Sequence, residues 1–180
     1  MKVPLLDLRA QYRPIRAEIM AVVESVCDDQ AFILGQRVAD LEKDMQGYVG
    51  AGHAVGVASG TDAILLSLMA CGVGPGDEVV TVPYTFFATA GSISRLGARP
   101  RFVDIKPDTY NMDPALLEAA VTAKTKAVMP VHLYGQCAEM EPILRLAAAR
   151  KVPVIEDAAQ AIGAAWRGRK AGTLGQAGCF

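Results

Sequence analysis

The sequence predicts an α/β fold: a mostly parallel sheet flanked by helices. From residue 53 onward, short apolar runs of strand length alternate with longer segments of helical periodicity, the runs lying at 54–58, 78–82, 101–105, 126–131 and 152–155. The links between them are short and carry Gly, Pro and Asp, the residues that turn a chain. Strands joined through helices lie parallel and are covered on both faces. The composition agrees, with 52% hydrophobic and 21% charged residues over 180 positions, enough for one domain with a sizeable core.

Each element has its own signal. Residues 1–13 are mixed and read as an extended arm, after which Pro14 suits the first position of a helix. Ile15, Ile19, Val22, Val23 and Val26 follow at helical spacing, and Asp28-Asp29 ends the run. A turn at 32–35 leads to a second helix with Val38, Leu41, Met45 and Val49 on one face. Residues 54–58 read as a strand, 59–62 as a turn and 63–71 as a nearly all-apolar helix. Strand 78–82 is followed by a turn at 83–85 and a helix over 86–96 that Gly97 stops. After strand 101–105, Asp113 caps and Pro114 opens a helix through Val121. Strand 126–131, helix 138–150 and strand 152–155 complete the rhythm. Residues 164–170 then read as a strand running into a turn or hairpin, and Gly172, Gly175 and Gly178 lead to Cys179-Phe180 inside a further strand. Nothing there resembles a natural terminus, so the expectation is the front part of a longer protein.

Several function classes drop out. The net charge is −1, from 18 basic and 19 acidic residues interleaved, without the basic patch a nucleic acid would need. There is no N-terminal apolar signal region and no apolar run long enough to span a bilayer. Cys27, Cys71, Cys137 and Cys179 are scattered, which argues against a zinc site or a disulfide framework and fits reduced thiols in a cytoplasmic protein.

The chemistry gathers at strand ends, where open α/β sheets bind ligands. In V-P-V-I-E-D-A-A-Q-A-I-G (152–163) the apolar run stops at Glu156 and Asp157, followed by small residues and Gln160. A carboxylate placed there can hold a positive charge on a ligand, as pyridoxal phosphate requires for its ring nitrogen to stay protonated; it can equally cap a helix. Ser59-Gly60-Thr61-Asp62 lies between a strand and a helix start, where unpaired amides suit a phosphate or where Ser59 or Thr61 simply caps the helix. In Tyr84-Thr85-Phe86-Phe87, Phe86 can stack on a flat ring, while Tyr84 and Phe87 read as ordinary core aromatics. His132 has no evident acid or metal partner and reads as a structural or lining residue; His53 reads as exposed. Neither joins a Ser/His/Asp arrangement, and no metal site is expected.

Phosphate turn, aromatic and carboxylate follow one another at three strand ends, an order suited to gripping pyridoxal phosphate. The segments G-T-D-A, P-Y-T-F-F-A-T-A, D-I-K-P-D-T-Y-N, P-V-H-L-Y-G-Q and I-E-D-A-A-Q-A-I-G-A resemble the DegT/StrS group of pyridoxal-phosphate-dependent sugar aminotransferases, over nearly the whole chain. The resemblance implies the type I aminotransferase fold, with residues 1–50 as an N-terminal arm and helices and 51–180 as a cofactor-binding α/β domain incomplete at its C-terminal end. It implies that Gly60, Thr61 and Asp62 hold the phosphate through backbone amides, that Phe86 stacks on the pyridine, that Asp157 pairs with the ring nitrogen and that Gln160 lies near the 3-oxygen. Glu156 receives no cofactor contact. The implied activity transfers an amino group, from glutamate, to a keto group of a nucleotide-linked sugar, in a homodimer whose sites lie at the subunit interface. The arm and the 32–35 turn are then expected near that interface or the sugar site. The family's phosphate-binding serine and Schiff-base lysine are expected just beyond Phe180; neither Lys151 nor Lys170 stands in that position. A sugar dehydratase of the same group, a cyclitol-ketone aminotransferase and a non-catalytic regulator retaining the fold are the alternatives.

Overall fold

Alternate residues of the strands feed two separate cores, and this sets the architecture. The computed structural model describes residues 6–180. β1 (Glu78–Thr81) lies between β2 (Arg99–Phe102) and β3 (Thr125–Val128), parallel to both. Parallel bridges Val128–Val154 and Val131–Asp157 extend the sheet to β4 (Ile155–Asp157), which pairs in parallel with β7 (Ala177–Cys179). The strand order is therefore β2-β1-β3-β4-β7. Parallel neighbours cannot be joined by tight turns; α4 (Phe87–Arg95), α5 (Pro114–Ala120) and α6 (Met140–Arg150) make the crossovers from β1 to β2, β2 to β3 and β3 to β4.

Val79, Ala127, Met129 and Ile155 pack against Ile64 and Leu68 of α3 (Gly60–Ala70) and Ile93 of α4. Their sequence neighbours Val80, Val128 and Val154 pack on the other face against Leu117 of α5 and Met140, Ile143 and Ala147 of α6. This period-two division is what a strand's pleat imposes, and it gives the helix-flanked parallel sheet the sequence predicts. The tail is a hairpin as expected: β5 (Ala165–Trp166) and β6 (Arg169–Lys170) pair antiparallel. Arg167 and Gly168 both have positive φ, as a type I′ turn requires.

Four expectations need correction. α1 (Leu8–Asp28) opens well before Pro14, which lies inside it, because the Asp7 carboxylate accepts from the Arg9 and Ala10 amides and caps the helix there. The carbonyl that Pro14 leaves without a donor is on an exposed turn, where water can serve it. Of the expected arm, residues 1–5 lie outside the described residues. Segment 54–58 joins no strand ladder, and Val55 is 79% exposed: an apolar run needs a neighbour to become a strand, and none flanks it among the described residues. β2 starts at Arg99 rather than 101, because Gly97 (φ +73) turns the chain directly into register with Glu78. β4 begins at Ile155, later than the expected 152–155, so Glu156 and Asp157 sit within the strand instead of beyond it. The N-terminal helices are otherwise as expected, with α2 (Gln36–Val49) ending at the left-handed Gly50, although α1 buries none of its residues.

Candidate functional site

Because adjacent strand residues point to opposite faces, Glu156 and Asp157 part company. Asp157 shares the face of Ile155, toward α3 and α4, and is 5% exposed. Its Oδ2 accepts a hydrogen bond of 2.7 Å from the Thr89 hydroxyl, while Oδ1 has only a long contact of 3.4 Å from the Ala159 amide. It lines a cavity of about 220 Å³ together with Gly60, Thr61, Thr85, Phe86 and Gln160. Five residues singled out in the sequence thus meet around one space: Gly60, Thr61, Phe86, Asp157 and Gln160.

The turn expected at 59–62 is itself the first turn of α3. Ser59 is the N-cap: its Oγ accepts from the Asp62 amide at 3.1 Å and its carbonyl from the Ala63 amide at 2.9 Å. The capping alternative is therefore realised at Ser59. The Gly60 and Thr61 amides are left without an acceptor among the described residues, at the positive end of the helix dipole. Asp62 differs from the expectation, since it does not line the cavity and its amide is already committed to the cap. Gly60 also lies against the end of β7, where a Cβ would come within 3.1 Å of the Phe180 carbonyl oxygen.

Phe86 is the N-cap residue of α4, extended in backbone, 71% exposed and part of the cavity lining. Tyr84 and Phe87 are not the core aromatics expected: they are 45% and 81% exposed, because the turn after β1 projects them outward. The Tyr84 hydroxyl lies 3.1 Å from that of Tyr134. Gln160 accepts from the Tyr134 amide through Oε1 at 2.8 Å. A backbone N–H can only donate, so the Gln160 amide nitrogen is the end left to donate elsewhere.

Glu156 turns the other way, is fully buried, and is the acid partner that His132 lacked in the sequence. Its Oε1 accepts from the Leu174 and Gly175 amides at 2.7 and 2.6 Å, and its Oε2 from Gly172 N and His132 Nε2, both at 2.8 Å. The Ala138 amide donates to His132 Nδ1 at 3.1 Å, which puts the imidazole proton on Nε2, facing the carboxylate. Burial pushes the Glu156 pKa up, but the bonds from His132, Gly175 and Gly172 outweigh it and hold the pKa below the ordinary carboxylate range. The glycines at 172, 175 and 178 follow from this wrap. A Cβ on Gly175 would strike the Val154 carbonyl, and one on Gly178 the Gly172 backbone. The sequence hid the pair because its members are 24 positions apart and meet only through the strand pairing of Val131 with Asp157. Thr89 lacks a local signal of this role too: its spacing from Thr85 marks a possible i, i+4 pair, but its contact with Asp157 spans 68 positions.

A second groove, about 650 Å³, runs between segment 53–57 and β7, and Phe86, Asp157 and Gln160 take no part in it. His53 lines it and is exposed, as expected. Among the described residues no cluster of His, Cys, Asp and Glu is suited to a metal, and no helix is long and apolar enough to cross a membrane.

Comparison with known proteins identifies relatives of the chain. A model of the DegT/DnrJ/EryC1/StrS aminotransferase family matches residues 13–180. The chain is 56% identical, over its whole length and 48% of the relative's, to a "Pleiotropic regulatory protein" of Geobacillus stearothermophilus. It is 46% identical to the UDP-2-acetamido-2-deoxy-3-oxo-D-glucuronate aminotransferase of Pseudomonas aeruginosa, covering 98% of this chain and 49% of that protein. The crystal structure of NtdA from Bacillus subtilis with bound cofactor PMP superposes with a TM-score of 0.89 at 36% identity, covering 95% of this chain and 40% of that one. The chain spans about half the length of the curated relatives it matches.

Proposed function

From the premise that this chain belongs to the DegT/DnrJ/EryC1/StrS aminotransferase family, we propose that it forms the cofactor cradle of a pyridoxal-phosphate-dependent enzyme that moves an amino group, from glutamate, to a keto group of a nucleotide-linked sugar. One observation carries the reading: a buried carboxylate, an exposed aromatic and two helix amides without an acceptor among the described residues converge on a single cavity. That donor set fits a flat, cationic heteroaromatic ring bearing a phosphate.

In this reading the Gly60 and Thr61 amides receive the phosphate. Phe86 covers one face of the ring and keeps water from it. Asp157, through the less engaged Oδ1, holds the proton on the ring nitrogen, and the Gln160 amide nitrogen donates to the 3-oxygen. The bound cofactor supplies an electron sink for chemistry at the amino-bearing carbon. Lys170 is engaged elsewhere, its Nζ 2.5 Å from the Tyr48 carbonyl and over the Tyr48 ring. A homodimer and a cytoplasmic location complete the reading, the latter supported by four unpaired cysteines.

A regulator without catalysis is the second reading, favoured by the name of the Geobacillus relative. One experiment separates them. The intact protein titrated with pyridoxal phosphate is expected to bind it with a visible absorbance band and to transaminate a keto-sugar nucleotide. Asp157→Asn is expected to lose about 30- to 4,000-fold in turnover, the range for removing one partner of a buried charge pair, with its circular dichroism unchanged. Near-normal turnover by well-folded Asp157→Asn would refute the assignment. Absence of cofactor binding by the wild type would favour the regulator.

A further inference from the structure

Asp157 does not meet the cavity alone. We infer that Thr85 and Thr89 form a hydroxyl relay that orients the Asp157 carboxylate, with Thr89 as a positioning residue for cofactor binding; this rests on the reading of Asp157 given above.

The proton directions follow from the donor inventory. An ionised carboxylate can only accept, so the Thr89 hydroxyl spends its one proton on Asp157 Oδ2. The 2.7 Å separation is short enough for a charge-assisted bond. The Thr89 oxygen, 2.8 Å from the Thr85 hydroxyl, must then accept from it. The order Thr85 to Thr89 to Asp157 is thus the one in which each hydroxyl donates toward the charge. Thr89 is fully buried and outside the cavity lining, so it reaches the ligand only through Asp157. It lies in the first turn of α4, whose dipole also favours the anion.

The consequence is geometric. With Oδ2 tied to Thr89, the carboxylate cannot rotate about its last torsion, and Oδ1 is the oxygen left for a ligand N–H. Without the hydroxyl, a buried carboxylate loses its shortest hydrogen bond and its orientation, and part of the ligand's binding energy goes to restoring it. Valine at 89 keeps the shape and removes the donor; serine keeps the donor.

The test uses the intact protein and pyridoxal phosphate as probe, titrated by its visible absorbance. Thr89→Val is expected to weaken binding about tenfold, equivalent to ~1.4 kcal/mol, and to displace the pH midpoint of the bound cofactor's band. Thr89→Ser is expected to match wild type, and Thr85→Val to lose about threefold in affinity, as the more distant member. In an Asp157→Asn background Thr89→Val should add no further loss, because a residue acting only through Asp157 has nothing left to orient. Equal affinities for Thr89→Val and wild type overturn the inference, as does a full additional loss in the Asp157→Asn background. If Asp157→Asn binds too weakly to titrate, the contrast between Thr89→Val and Thr89→Ser decides. If Thr89→Val does not fold, Thr85→Val decides in both backgrounds, since Thr85 also lines the cavity: wild-type affinity, or a full additional loss in the Asp157→Asn background, overturns the relay. Wild-type binding by Asp157→Asn would instead sink the reading of Asp157 on which the relay depends.

Discussion

Glu156→Gln is nearly isosteric, yet it should cost the protein a large part of its stability. The carboxylate faces four donors and no acceptor: the Gly172, Leu174 and Gly175 amides and the His132 Nε2 proton. A carboxamide turns one of its oxygens into a donor of two hydrogens. With that nitrogen at Oε1, the Leu174 and Gly175 amides are orphaned; at Oε2, the Gly172 amide and His132 are. A tautomer change offers no escape, because moving the imidazole proton to Nδ1 would point it at the Ala138 amide, which donates there at 3.1 Å. Two buried donors left unmet at roughly 1–3 kcal/mol each give a loss of about 2–6 kcal/mol. Against a typical stability of about 5–15 kcal/mol, that is a change no denaturation curve would miss. The sign of the pH dependence follows from the lowered pKa. The folded carboxyl stays ionised below the pH at which the unfolded one protonates, so the stabilisation is full above the ordinary Glu range and is lost as pH falls through the folded value. The assay is urea unfolding of wild type and Glu156→Gln in the intact protein at neutral pH and down through the carboxylate range, with hydrogen exchange at residues 172–175. A variant within about 0.5 kcal/mol of wild type, with those amides as protected as before, would refute the reasoning.

Two further outcomes test the packing around the same strand. Gly178→Ala drives a Cβ into the Gly172 backbone, which cannot swing aside as a side chain could, so a loss of about 3 kcal/mol is expected, the upper end of the usual overpacking range; a melting temperature equal to wild type would show that the wrap is looser than described. The Cys179 thiol is pushed up to about 11 by burial, against a weaker opposing bond from Ser67. At pH 8 only on the order of one thiol in a thousand is then ionised. Iodoacetamide on native protein, mapped by mass spectrometry, should leave Cys179 unmodified until denaturant is added, and rapid native labelling would contradict its burial.

What could be read in advance, and what could not, divides along local and non-local lines. The alternation of strands and helices was legible because it is written in each segment's own periodicity, and so was the Arg167-Gly168 hairpin. The Asp7 cap was equally local and went unseen behind the stronger habit of placing Pro14 at a helix start; a carboxylate accepting from two amides outweighs one missing donor on an exposed turn. Residues 54–58 mislead for another reason, since an apolar run specifies a strand only if a partner lies beside it. His132 stood alone in the sequence for the same reason, its acid being supplied by the far side of a strand pairing. The cavity residues were legible because each belongs to a contiguous motif at a strand or helix end. Thr89, which touches the central carboxylate, was missed because its role exists only once α4 is folded against β4.

The adjacency of Glu156 and Asp157 is where stability and chemistry meet. A one-residue slip of β4 would exchange them, presenting the longer carboxylate to Thr89 and the shorter one to His132 and the 172–175 amides. Neither would then reach its partners as it does now. The backbone of Asp157 is held from one side, its amide donating to the Pro130 carbonyl at 3.0 Å and its carbonyl accepting from His132 N at 2.9 Å. On the other side the Glu156 carboxylate gathers the loop that delivers β7 into register beside it. The residue with no contact to the cavity therefore determines which carboxylate enters it. That is why two acids can stand side by side in a buried strand: the pleat sends one to four fixed donors and the other to the cavity, with one oxygen only loosely engaged.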